Sequence, residues 1–328
     1  MNQNGVSKIL MKSRPFRYLT QEELSFVLSF GEALSFKNNQ IIISQGKVGA
    51  GLYIILTGKT KVQIRILGEE SLVLARMGKG NFFGEPNLLY AAQSTATVIA
   101  ASETICFFLS KTCFDSFSIG SPHIKYAINR ALVEDVILRY RDLNLKLTKL
   151  LMKHPPTDKK FSMTYEKSFS ASMTLFSHTP VFNNFTEKEK KLILKHSKII
   201  EINRPTFIIK PKSKKASCFL ILKGALLANI TNEDRFSHFV VHPPHTLVCP
   251  LSLIESEHNG EIFSYYTGRT ALLLEIDREF LDSLSKKNPM LWYKFYELFC
   301  EYIFSLQKNL NMKVARLTHE KFMDFNPS

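Results

Sequence analysis

The chain has 328 residues, 45% of them hydrophobic and 22% charged. That length exceeds one ordinary domain and fits two, and the composition excludes a fully disordered chain; 14 glycines and 13 prolines exclude a collagen-like one. A formal charge of +14 suits an acidic protein partner, an anionic membrane surface or nucleic acid, without choosing among them.

Residues 1–15 hold no apolar signal-like run and read as a flexible lead-in, so a cytoplasmic protein is expected. Thr20 followed by Glu23 has capping-box spacing, and Leu24, Val27 and Leu28 give the helix that follows an apolar face. Short β-rich runs come next, at 40–44, 51–56, 60–66, 72–76, 96–100 and 104–109. A long helix is expected over 121–153. Val133, Val136, Tyr140, Leu143, Leu147 and Leu150 recur on it at alternating steps of three and four. That seam fits packing within the chain or a homodimer contact. Pro155 and Pro156 stop the helix, and 156–171 reads as a linker.

Beyond the linker the chain repeats itself. Residues 16–62 align with 182–228 at a constant offset of 166, without a gap. Phe16/Phe182, Thr20/Thr186, Glu23/Glu189, Ile42/Ile208, Leu56/Leu222 and Gly58/Gly224 are identities. A period this large means two homologous domains, placed at 16–155 and 172–320, with a tail at 321–328. β-rich runs recur at 206–210, 218–222, 226–230, 238–241, 262–266 and 271–276, followed by an apolar helix over 289–313. The expected fold is mainly β with flanking helices: two antiparallel β-rolls of jelly-roll type.

Several chemistries are absent from the pattern. There is no P-loop, H-E-x-x-H or G-x-S-x-G motif, so no catalytic residues are assigned. The five cysteines are scattered without a CxxC pair and read as buried thiols. His238, His242, His245 and Cys249 do not have the spacing of a closed metal site, and no metal is expected.

The segments IIISQG, GLYIILTGKTKV, GKGNFFGEPNLLYAAQSTATVIA and CFFLSKTCFDSF, as a spaced set, resemble cyclic-nucleotide-binding domains. The modules in view are those of bacterial cyclic-AMP receptor proteins and of the regulatory subunits of cyclic-AMP-dependent protein kinase. The tandem organisation is similar to the latter. The resemblance implies a phosphate-binding cassette with Phe83, Gly84 and Glu85 as its F-G-E, Glu85 accepting from a ribose 2′-hydroxyl. The arginine that would pair with the exocyclic phosphate falls on Ser94, followed by Thr95.

A serine offers one neutral hydroxyl where arginine offers a charged fork of donors. Losing such an interaction costs roughly 2–5 kcal/mol, or about 30-fold to several thousand-fold in affinity. In the second repeat Val248, Cys249 and Pro250 take the F-G-E positions and Glu261 the arginine position, so a carboxylate stands where a phosphate would need a cation. The expected function is therefore a non-enzymatic regulatory or interaction protein with degenerate domains; a cyclic-AMP or cyclic-GMP sensor using the first domain alone is the alternative. No cofactor is required. Lys188, Lys190, Lys191, Lys195 and Lys198, with Lys210, Lys212, Lys214 and Lys215, suit an acidic protein partner or a membrane surface. Sequence-specific DNA binding is not expected, because a second β-rich repeat follows the long helix.

Overall fold

The computed structural model describes residues 3–65, 71–89, 93–151, 176, 179–209, 217–232, 235–249, 263–268 and 270–325. The chain divides into two compact units, Met1–Val136 and Ile137–Ser328.

The first unit opens with α1 (Gln3–Lys12), a 3-10 turn (Arg14–Phe16) and α2 (Gln21–Leu28). The capping box at α2 is complete: Glu23 N donates to Thr20 Oγ1 at 3.2 Å, and Thr20 N to Glu23 Oε2 at 2.7 Å. Eight strands follow: β1 (Glu32–Phe36), β2 (Ile41–Ile43), β3 (Gly51–Thr57), β4 (Lys59–Ile64), β5 (Leu72–Gly78), β6 (Phe82–Phe83), β7 (Thr97–Ala100) and β8 (Thr104–Ser110). The short helix α3 (Glu85–Leu89) lies between β6 and β7. The strands form two four-stranded antiparallel sheets, in the orders β1-β8-β3-β6 and β2-β7-β4-β5. Ile43 and Val98 from one sheet and Tyr53, Ile55, Phe83, Cys106 and Phe108 from the other close one apolar core. Helices α4 (Lys111–Gly120) and α5 (Pro122–Leu151) complete the unit, and α5 runs on past its boundary.

The second unit repeats this plan. After a 3-10 turn (Pro180–Phe182) and α6 (Glu187–Lys195) come β9 (Ser197–Ile202), β10 (Thr206–Ile209), β11 (Cys218–Lys223), β12 (Leu226–Asn232), β13 (Arg235–His242), β14 (Leu247–Val248), β15 (Phe263–Thr267) and β16 (Ala271–Ile276). Helices α7 (Arg278–Lys287) and α8 (Pro289–Phe325) end it. Its sheets run β14-β11-β16-β9 and β10-β15-β12-β13, the order of the first unit strand for strand. Both units are antiparallel β-rolls with flanking helices.

The repeat extends to irregularities. The β3–β8 ladder slips between Ile55 and Thr57, and the β11–β16 ladder between Ile221 and Lys223, so the bulge falls on Leu56 and on its repeat partner Leu222. Two residues on, Gly58 has φ +88° and Gly224 φ +84°. A Cβ at Gly58 would lie 2.2 Å from the Glu103 carbonyl oxygen, and one at Gly224 2.6 Å from that of Thr270. Glycine is required twice for the same reason: the turn is left-handed and its inner side is backbone.

Some expectations differ from the structure. The lead-in 1–15 contains α1, whose Leu10 is fully buried, so apolar packing orders it. The strands β1 and β9 were not anticipated. Each lies at a sheet edge, paired on one side only, and lacks a long apolar run. The expected helix 121–153 is preceded by a separate helix, α4, and Pro122 fits the first turn of α5, where its missing N–H costs nothing. Helix α8 runs to Phe325, past the expected end at 313 and into the tail. The compact units divide at Val136, inside α5, ahead of the boundary at 155 that the prolines indicate. The linker 156–171 lies outside the described residues.

Candidate functional site

Phe83 ends β6, pairs with Tyr53 across the ladder and stacks on its ring, with centroids 5.1 Å apart and an interplanar angle of 8°. The next residue, Gly84, turns the chain with φ +85°, and a Cβ there would sit 2.4 Å from the Gly51 carbonyl oxygen. Only glycine lets β6 leave the sheet at this point. Its carbonyl accepts from Asn87 N at 3.0 Å and so starts α3. Glu85 opens that helix and is 5% exposed.

Ser94 is half-buried, just ahead of β7. Its backbone is held on both sides: Gly46 N donates to Ser94 O at 2.8 Å, and Ser94 N to Lys47 O at 2.8 Å. Its hydroxyl turns back to α3 and donates to Asn87 Oδ1 at 3.3 Å. The same oxygen accepts from Gly49 N at 3.2 Å. Asn87 is 2% exposed, and a Cβ on Gly49 would come 2.1 Å from its Nδ2. Thus the loop before β3, the short helix and the start of β7 meet at one neutral amide. Thr95 is also half-buried, and the hydrogen bonds of this knot pass it by.

Asn87 was not anticipated. Its signal is its place two residues beyond Glu85, and that spacing becomes informative only once Ser94 and Gly49 are brought beside it.

In the second unit Val248 faces Phe219, and Leu247 faces Leu220. In the first, Phe83 faces Tyr53, and Phe82 faces Ile54. The ladders superpose under the repeat, so Val248 takes the place of Phe83, and Cys249 follows where Gly84 stands. Cys249 is fully buried, and its Sγ lies 3.2 Å from that of Cys218. Pro250 and Glu261 lie outside the described residues.

His242 and His245 are engaged elsewhere, and the side chain of His238 lies outside the described residues. His242 is buried, with Nε2 3.5 Å from the Tyr302 hydroxyl, which in turn donates to the Tyr265 hydroxyl at 2.9 Å. Burial lowers the His242 pKa to about 4, so the ring is neutral. His245 Nδ1 faces Thr179 Oγ1 at 3.4 Å. Among the described residues, no cluster of three His, Cys, Asp or Glu side chains is placed to hold a metal. No helix among them is long and apolar enough to cross a membrane.

Of the seam on α5, Val133 and Val136 are fully buried within the single chain. The side chains of Tyr140, Leu143, Leu147 and Leu150 lie outside the described residues. Lys188, Lys191, Lys195 and Lys198 are exposed, Lys190 pairs with Glu187 at 2.9 Å, and 210–216 lie outside the described residues.

Residues 33–118 match the family model described as the cyclic nucleotide-binding domain. With the repeated ladders, this decides the architecture. Residues 33–118 of the first unit are similar to a cyclic-nucleotide-binding domain, and the second unit repeats the strand order of the first. Over 170 residues the chain is 25% identical to a cGMP-dependent protein kinase of Plasmodium berghei, covering 49% of this chain and 19% of the kinase. It is 29% identical over 138 residues to the cyclic AMP receptor protein of Thermus thermophilus, covering 42% of this chain and 63% of that protein. Among solved structures, the cAMP-bound regulatory domain of the Toxoplasma gondii cyclic-AMP-dependent kinase is similar at 16% identity and TM-score 0.35, over 96% of this chain and 98% of that one. The match thus takes in under a fifth of the Plasmodium kinase's own length.

Proposed function

We propose that this chain is a non-enzymatic regulatory or protein-interaction protein whose cyclic-nucleotide-binding-like domains have lost the phosphate clamp. The observation that carries the reading is the Ser94–Asn87 hydrogen bond. At the position where the family resemblance puts a guanidinium, a hydroxyl is tied to a neutral amide. A phosphate brought there would meet no compensating charge from that residue. In the second repeat the sequence alone sets Glu261, a carboxylate, at the arginine position, which supports the same reading. The exposed lysines of α6 and β9 support an acidic protein surface as partner.

The alternative, a cyclic-AMP or cyclic-GMP sensor in the first domain, is favoured by one feature: Gly84 keeps its left-handed turn and Glu85 its buried place at the head of α3. Calorimetry with cyclic AMP and cyclic GMP separates the two. No binding at micromolar ligand is expected. Micromolar one-site binding that Glu85→Ala abolishes would overturn the degenerate assignment and establish the sensor.

A further inference from the structure

Cys218 heads β11, and Cys249 follows β14 directly. The ladder pairs Leu220 with Leu247 and Phe219 with Val248, so the next step sets Cys218 opposite Cys249. Farther back, Ile221 N donates to Thr246 O at 3.0 Å. Antiparallel pairs alternate between hydrogen-bonded and non-hydrogen-bonded types. Counting from Ile221 and Thr246 makes Cys218 and Cys249 a non-hydrogen-bonded pair, the type whose side chains approach most closely. Its Cα separation of about 4.5 Å falls within the range a disulfide spans. The sulfurs are already 3.2 Å apart.

We infer that Cys218 and Cys249 are a dithiol site that peroxide oxidises to a cross-strand disulfide. One thiol loses its proton, and its sulfur attacks the O–O bond, giving a sulfenic acid and one water. The second sulfur then displaces the sulfenic oxygen as another water and loses its own proton. The two sulfurs give up two electrons, and one peroxide becomes two waters.

The fold governs access. Both thiols are fully buried, and burial, reinforced by the Cys218 neighbour, pushes the Cys249 thiol well up. The thiols are therefore unreactive while β14 is seated. That strand is two residues long and, among the described residues, pairs with β11 alone at the sheet edge, so its local opening would expose Cys249. Oxidation then fixes β14 to β11. The corresponding positions of the first unit are Leu52 and Gly84, so this chemistry belongs to the second unit alone.

The test is disulfide mapping of the full chain after hydrogen peroxide treatment, with maleimide quenching and digestion without reductant. Two of the five thiols should be lost, and a Cys218–Cys249 linked peptide should appear, about 2 Da lighter than its two thiol halves and released by dithiothreitol. Cys249→Ser should abolish it, and Cys106→Ser should leave it unchanged. In guanidinium chloride the pairing should scatter over all five cysteines. Absence of the linked peptide from folded wild type, a different pairing, or equal pairing in the folded and unfolded chain would each overturn the inference.

Discussion

Asn87 Oδ1 accepts two hydrogen bonds, from the Ser94 hydroxyl at 3.3 Å and from Gly49 N at 3.2 Å, and through them one buried amide joins three segments of the first cassette. Asn87→Ala leaves the Gly49 N–H without its partner in a half-buried site. The expected cost is about 1–3 kcal/mol, against about 1 kcal/mol or less for Ser94→Ala. Urea unfolding of both variants, read against wild type, measures the difference. Equal small effects would show that the knot is not structural.

Ser94→Arg replaces the neutral hydroxyl with a guanidinium on a backbone that Gly46 and Lys47 already hold. Cyclic-nucleotide affinity should rise by about 30-fold or more over wild type, the scale of one charge-assisted phosphate contact. Calorimetry reads the gain. A Ser94→Arg protein as silent as wild type would show a cassette remodelled beyond its missing charge.

Gly58→Ala and Gly224→Ala each force a side chain into a left-handed turn and against a carbonyl oxygen. Each should cost about 2–4 kcal/mol. Gly46 has φ +79° but nothing within 4 Å of its added Cβ, so Gly46→Ala should cost only about 1 kcal/mol. Denaturant midpoints of the three variants test whether the backbone contact adds to the strain.

His242 gives the second unit a pH dependence. Its pKa, about 4 when folded and about 6.5 when unfolded, means that the unfolded chain binds the extra proton first as pH falls. Its contribution is fully present above pH ~6.5 and declines as pH drops toward ~4, by about 3 kcal/mol in total. His242→Gln should flatten the stability profile over that window. An unchanged slope between pH 7 and 5 would place the dependence elsewhere.

Val136→Lys separates the two readings of the α5 seam. Val136 is fully buried within one chain, so a lysine there should cost about 3 kcal/mol or more. Its unfolding midpoint should not vary with protein concentration. A midpoint that rises with concentration in wild type and ceases to do so in the variant would instead show a dimer contact.

The amino-acid sequence by itself determined what repeats. An ungapped offset joins Thr20 to Thr186 and Gly58 to Gly224, and both pairs do the same local work, capping a helix and turning a strand, because caps and left-handed turns are set by a few neighbouring residues. Long β-rich runs such as β3 and β16 were legible for the same reason. The two-residue strands β6 and β14 were not, because two residues carry no periodicity. Their register is fixed by β3 and β11, far away in the chain.

The absence of the arginine at Ser94 could be read from the chain, but what replaced it could not. Asn87 is linked to Gly49 and Ser94 by tertiary contacts that no local pattern announces. Cys218 and Cys249 are likewise two scattered thiols in the sequence. Tertiary structure makes them a pair, because antiparallel register brings residues distant along the chain to neighbouring places on one sheet face.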